Sequence, residues 1–291
     1  MRPSIVSSGI RKLRVLCFHG FRTNGLIMET QLKKLDQSVL DLMEMTCLDA
    51  PYPALGKSDV EGIFPPPYYE WFQFKETENG PVFTNLKECI EIITEHMEKH
   101  GPYDGLVGFS QGAFLCGALA GMQQQGLALT SVPKLRFVII ISGGVLNGEH
   151  EWKSCYSDPI KCASVHLIGI CYALEEFMVY EVCTTIYNGF SLWQCCKAGS
   201  RDFLKARNED LLQKYENPVV IRHDARHTVP RLGVEAVLPM KKFLENVLVS
   251  IKEEEDYGYF ANITEDHNDH KEHIADRSSE WAYDYETTVL A

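Results

Sequence analysis

The chain has 291 residues, a hydrophobic fraction of 45% and a formal net charge of −12, which suits one large folded domain with appendages. No apolar run reaches the roughly 18 residues of a membrane span, and Met1 to Lys12 lacks the apolar core of a secretory signal, so the expectation is a cytoplasmic protein, with the nucleus also open to it. Glu253 to Ala291 holds twelve acids against two bases, −10 of the −12; the remaining 252 residues sum to about −2, and neither nucleic acid nor an anionic membrane is an expected partner.

Taken in chain order, Leu13 to Phe18 is an apolar run ending at His19-Gly20, which predicts a buried strand entering a turn. Asn24 can cap a helix running to about Met43, with Met28, Leu32, Leu35, Val39 and Leu42 on one face. Thr46 to Asp49 reads as a second strand. Residues 50–82, with Pro65-Pro66-Pro67-Tyr68-Tyr69 and Trp71-Phe72, lack a sustained period and read as a long loop or lid. Asn85 to Lys99 is amphipathic at helical spacing.

From there strands and helices alternate. Leu106 to Phe109, Phe137 to Ser142, Ser164 to Ile168 and Pro218 to His223 are strand-like; Gln111 to Gln125, Phe203 to Tyr215 and Val234 to Lys252 are helix-like. Continuous Val/Ile runs separated by helices predict an α/β fold, a mostly parallel sheet with helices on both faces. The ten cysteines include no C-x-x-C, so no zinc site or redox dithiol is expected, and no metal or other cofactor. The segment 253–291 has acids and aromatics without an apolar period and reads as a disordered tail.

Gly108-Phe109-Ser110-Gln111-Gly112 has the G-x-S-x-G form and stands between a strand and a helix. That is the elbow of an α/β-hydrolase, in which a serine is held exposed in a strained turn; a helix-capping serine is the alternative. A hydroxyl nucleophile needs a base. His227, in Arg226-His227-Thr228-Val229-Pro230 after the last strand, is where this fold delivers one. The amides of Phe21 and Gln111 can pair as an oxyanion hole. His19 more readily braces that loop than transfers a proton. Tyr68, Tyr69 and Trp71 are candidates for an apolar acyl pocket, with core packing beneath the loop as the alternative.

Cys17 to Gly25 (Cys-Phe-His-Gly-Phe-Arg-Thr-Asn-Gly), Asp49-Ala50-Pro51, Trp71-Phe72, Gly108 to Gly112, Ile141-Ser142-Gly143 and His227 to Pro230 together resemble a family of serine hydrolases. That family includes the ovarian cancer-associated gene 2 esterases and fungal polyketide-releasing thioesterases. The resemblance spans about Arg11 to Leu248. It implies an esterase or thioesterase with a Ser-Asp-His triad, a small-molecule ester or thioester substrate and no cofactor.

The sequence departs from that pattern at one place. The family's acid follows a glycine just after the strand that here is Ser164 to Ile168. Here Ile170 to Ala198 intervenes before Gly199-Ser200-Arg201-Asp202. Joining Ile168 to Gly199 restores the spacing and makes Asp202 the acid, so 170–198 reads as an atypical insertion of the retained-intron kind within a hydrolase domain of residues 1–252. A cap subdomain is the alternative, and Glu175 or Glu176 the alternative acids. The expected function is cleavage of small carboxylic esters or thioesters through an acyl-enzyme. The rival readings are a catalytically impaired isoform and a ligand-binding protein on a hydrolase scaffold.

Overall fold

A computed structural model describes residues 11–77, 80–146, 154–169, 202 and 204–256. Its frame is a six-stranded sheet in the order β10-β9-β8-β7-β1-β2. Here β1 is Leu13–Phe18, β2 Met43–Leu48, β7 Gly105–Phe109, β8 Phe137–Ile141, β9 Ala163–Gly169 and β10 Val219–His223. Every neighbouring pair in it is parallel. All five residues of β7 and of β8 are buried. Burial on both faces is why these strands read as unbroken apolar runs rather than as alternation.

The helices follow the strands that feed them. Asn24 caps α1 (Gly25–Leu32) by accepting from the Ile27 amide at 2.9 Å. α3 (Leu86–His100) buries Leu86, Cys89, Ile90, Ile93 and Met97 on one stripe, the spacing that marks an amphipathic helix. α4 (Gln111–Gln124) is buried almost all round, and α5 (Lys205–Leu212) follows the candidate acid. A further helix covers 234–256, past the expected domain end at residue 252.

Two expectations are corrected. The single helix from Asn24 to Met43 is two: α1 ends at Leu32, and α2 (Gln37–Leu40) starts afresh where Asp36 accepts from the Ser38 amide at 2.9 Å. A carboxylate capping a helix offers the chain a local alternative to continuing the previous one, and Met43 already belongs to β2. The stretch 50–82 is also more ordered than its composition suggests. It carries two antiparallel pairs, β3 (Tyr52–Pro53) with β4 (Tyr69–Glu70), and β5 (Gln73–Thr77) with β6 (Gly80–Thr84), and Trp71 and Phe72 enter the main core cluster.

The chain divides into two compact units, Met1–Glu245 and Asn246–Ala291. The first holds the sheet and every candidate site residue. In the second, the described residues 246–256 are helical. The expected insertion at 170–198 and the tail beyond residue 256 lie outside the described residues.

Candidate active site

Between β7 and α4, Ser110 adopts φ 52° and ψ −117°. A non-glycine residue there costs on the order of 1–3 kcal/mol, so the surroundings must impose it. Packing does so. A Cβ on Gly108 would stand 2.3 Å from the Gly112 carbonyl oxygen, and one on Gly112 would stand 2.2 Å from that of Phe18. With glycine at both positions α4 lies directly against β7 and β1, the chain turns in one residue, and the Ser110 hydroxyl is left partly exposed. The Ser110 amide donates to the Ile141 carbonyl at 3.0 Å, fixing the turn to β8.

His227 arrives on the loop after β10. Its Nε2 lies 2.9 Å from Ser110 Oγ, and its Nδ1 lies 3.1 Å from Asp202 Oδ1. An ionised carboxylate only accepts, so Nδ1 carries the proton and Nε2 is left to accept from the serine hydroxyl. The His227 ring centroid lies 5.1 Å from that of Phe109, and its loop is held where Val229 is buried two residues on and Lys34 Nζ donates to Thr228 Oγ1 at 2.9 Å. Burial, with Arg231 nearby, lowers the pKa of Lys34.

Asp202 stands at the carboxyl end of β9: a Cβ on Gly169 would lie 2.6 Å from Asp202 Cβ. The chain that leaves Gly169 therefore returns to the same point. The side chain of Asp202 is fully buried and amply supplied with donors. Besides His227, the Leu204 amide donates to Oδ1 at 3.0 Å and the Ser142 hydroxyl to Oδ2 at 2.6 Å. Burial raises its pKa, but the bonds and charge of His227, then Ser142 and the Leu204 amide, outweigh burial and hold the carboxyl below its ordinary value. Serine, imidazole and carboxylate thus form one hydrogen-bonded line, which can move a proton off the hydroxyl and stabilise the resulting imidazolium.

Across from that line runs His19-Gly20-Phe21. A Cβ on Gly20 would approach Ser110 Cβ to 3.6 Å, which brings this backbone against the serine. The Gln111 amide, in the first turn of α4, has no acceptor within its own helix. His19 is completely buried. Its Nε2 accepts from the Ala50 amide at 3.0 Å, so its Nδ1 carries the proton and donates to the Gly20 carbonyl at 2.8 Å. Burial lowers its pKa to about 4 against the weaker raising pull of that Gly20 bond. It is neutral near pH 7 and braces the loop.

Of the pocket candidates, Tyr68 and Tyr69 are half-buried, and the Tyr68 hydroxyl donates to the Phe64 carbonyl at 2.5 Å. Trp71 is 0% exposed. Its ring packs 4.8 Å from Phe18 and 5.0 Å from His19, so no face of it is open to a substrate, and core packing is its place. A separate groove of about 410 Å³, lined by Ile90, Met122 and Leu129 among others, contains none of these residues. Among the described residues no group of three or more His, Cys, Asp or Glu could hold a metal ion.

Sequence reasoning missed Ser142 as a donor to Asp202 and Lys34 as a tether for the histidine loop. Ser142 had a signal: it directly follows β8, the strand beside the one that carries the acid. Lys34 had none, because its partner is 194 positions away.

A model of the serine hydrolase (FSH1) family matches residues 7–172, over half of the chain and including the elbow. The chain belongs to the FSH1 serine hydrolase family. The match stops inside the segment 170–198. Esterase OVCA2 of Bos taurus is 30% identical over 172 residues, 54% of this chain and 75% of its own length. Its Xenopus tropicalis namesake is 24% identical over 245 residues, 80% of this chain and 90% of its own. Among solved structures, Zea mays acyl-protein thioesterase 2 aligns over 84% of this chain and 97% of its own, at TM-score 0.44 and 19% identity.

Proposed function

We propose that this serine hydrolase cleaves small carboxylic esters or thioesters through an acyl-enzyme on Ser110. One observation carries the reading: a single imidazole meets Ser110 Oγ on one nitrogen at 2.9 Å and the buried Asp202 on the other at 3.1 Å. Ser110 Oγ attacks the carbonyl carbon while His227 takes its proton, and Asp202 keeps the ring in the tautomer that can accept it. The tetrahedral oxyanion sits between the Phe21 and Gln111 amides, fixed dipoles that need no reorganisation as charge develops. His227 then protonates the departing alcohol or thiol. Water, deprotonated by the same ring, releases the acid and restores the serine. Tyr68 and Tyr69, half-buried in the stretch 50–82, would line the acyl pocket. Asp202 serves as the acid because the chain regains the end of β9 after the segment 170–198.

The test is turnover of a matched panel of alkyl and aryl esters and acyl thioesters of graded acyl length, by the wild type and by Ser110→Ala. The reading expects hydrolysis that falls by about 10⁴-fold or more in the variant. Undiminished turnover by Ser110→Ala would remove it. A wild type silent on every substrate would favour a binding protein on the same scaffold.

A further inference from the structure

Gln111 is 6% exposed, and its side chain is bonded to the loop at 71–72. Its Oε1 accepts from the Trp71 amide at 3.0 Å and its Nε2 donates to the Phe72 carbonyl at 2.7 Å. Both ends of one carboxamide are thereby spent on two successive residues of a single loop. From that loop the Trp71 indole N–H donates to the His19 carbonyl at 2.8 Å. The path closes: from the start of α4, through the Gln111 side chain, to the loop at 71–72, through the indole, to the segment that carries Phe21. Every link is buried.

We infer that the Gln111 carboxamide and the Trp71 indole are positioning groups that set the gap between the Phe21 and Gln111 amides; the inference rests on the function proposed above. Those amides belong to chain segments about ninety positions apart in sequence, and Ser110, which precedes one of them, is approached to 3.6 Å by a Cβ built on Gly20, which precedes the other. The β1–β7 pairing ends at Phe18 and Gly108, so no ladder bond of that pair reaches either amide. The hydrogen-bonded strut fixes their separation from behind. The far wall is fixed too. The Gly20 carbonyl accepts from His19 Nδ1 at 2.8 Å, from the Thr23 hydroxyl at 2.8 Å and from the Thr23 amide at 3.3 Å. In a planar trans peptide the C=O and the following N–H point opposite ways. A clamped Gly20 carbonyl therefore aims the Phe21 N–H, and Trp71 holds the segment at its depth. Trp71 also donates its backbone N–H in this path, so it ties both walls with one residue.

An oxyanion hole acts only while its donors stand at hydrogen-bond distance from the developing charge, and a displacement of about 1 Å can cost on the order of 100-fold. Two variants separate positioning from folding. Gln111→Met keeps the length and stem without either polar atom. Trp71→Phe keeps an aromatic ring in the core and removes the indole N–H. In each, kcat should fall roughly 10- to 100-fold while KM stays within about threefold. The affinity of an alkyl trifluoromethyl ketone, which adds to Ser110 and places an oxyanion in the same spot, should fall by the same factor. Active serines counted by fluorophosphonate, with the melting temperature, report the folded fraction. Unchanged kcat and inhibitor affinity in both variants would overturn the inference. So would a rise in KM at constant kcat, or a loss of kcat that tracks the folded fraction alone. A wild type whose turnover survives Ser110→Ala defeats the underlying reading instead.

Discussion

Asp202 and Ser142, both buried, meet at 2.6 Å, and Ser142 holds the left-handed backbone at φ 51°. A residue kept in that conformation to deliver one hydroxyl to one buried carboxylate has a consequence for both stability and rate. A carboxyl held below its ordinary value contributes stability above the unfolded pKa, near 3.9, and loses it as pH falls through the folded value. Ser142→Ala removes a donor to the charged form and lets the folded value drift up. Acid unfolding should then begin at a higher pH, stability at neutral pH should drop by about 1–2 kcal/mol, and kcat should drop about tenfold as the carboxylate loosens. Circular dichroism across an acid titration, with steady-state kinetics, checks this. An unmoved acid transition would mean that Ser142 merely fills space.

At the scale of elements, the elbow is set by contact rather than by propensity. Gly112→Ala places a methyl 2.2 Å from the Phe18 carbonyl oxygen, and α4 cannot yield without leaving β1 and β7. Urea unfolding should show a loss of about 2–3 kcal/mol; a change below about 0.5 kcal/mol would mean that the helix can shift freely. The same scale explains what was legible. β7, β8 and β9 announced themselves because strands buried on both faces must be apolar throughout, and Ser110 and His227 could be named because each follows such a strand. Trp71 could not be placed. Its amide donates to Gln111 Oε1, and Gln111 Nε2 donates to the neighbouring Phe72 carbonyl, about forty residues on, and no local period encodes a contact of that range. The break between α1 and α2 was nearer to hand, since Asp36 two residues before Ser38 is a capping signal. Asp202 was reached by resemblance, and its position against Gly169 gives the insertion reading a direct test. Deleting Ile170–Ala198 leaves three residues to bridge two points already side by side. The deletion should therefore fold and keep its turnover or increase it; a deletion that unfolds or falls silent would make the segment an integral cap.

For the whole molecule, buried histidines dictate the response to acid. His19 and His166 are both 0% exposed, and burial lowers each pKa to about 4. Each is neutral when folded and charges on unfolding anywhere between its folded value and the unfolded value near 6.5. Stability is therefore fully present above about pH 6.5 and declines as pH falls towards 4. A gap of that size corresponds to about 3 kcal/mol per group. His166 Nδ1 has no hydrogen-bond partner among the described residues, and its ring meets Tyr215 edge-on at 4.9 Å. His166→Phe should hold stability at pH 7 and remove close to one proton from the uptake on unfolding at pH 5. Urea midpoints at the two pH values measure it, and an acid-side loss equal to that of the wild type would contradict it.

The central claim is chemical: Ser110 carries the acyl group. Rapid mixing with an excess of a p-nitrophenyl ester, quenched in acid and followed by intact and peptide mass, observes that step directly. The account predicts a burst of p-nitrophenol approaching one equivalent per chain, a mass increase equal to the acyl group on the peptide that contains Ser110, and neither in Ser110→Ala. Turnover without a burst or adduct would leave the step unseen where deacylation is fast, so the mixing is repeated with a fluorophosphonate, which cannot turn over. A wild type that turns over ester yet takes no phosphonyl group on Ser110 would contradict the claim.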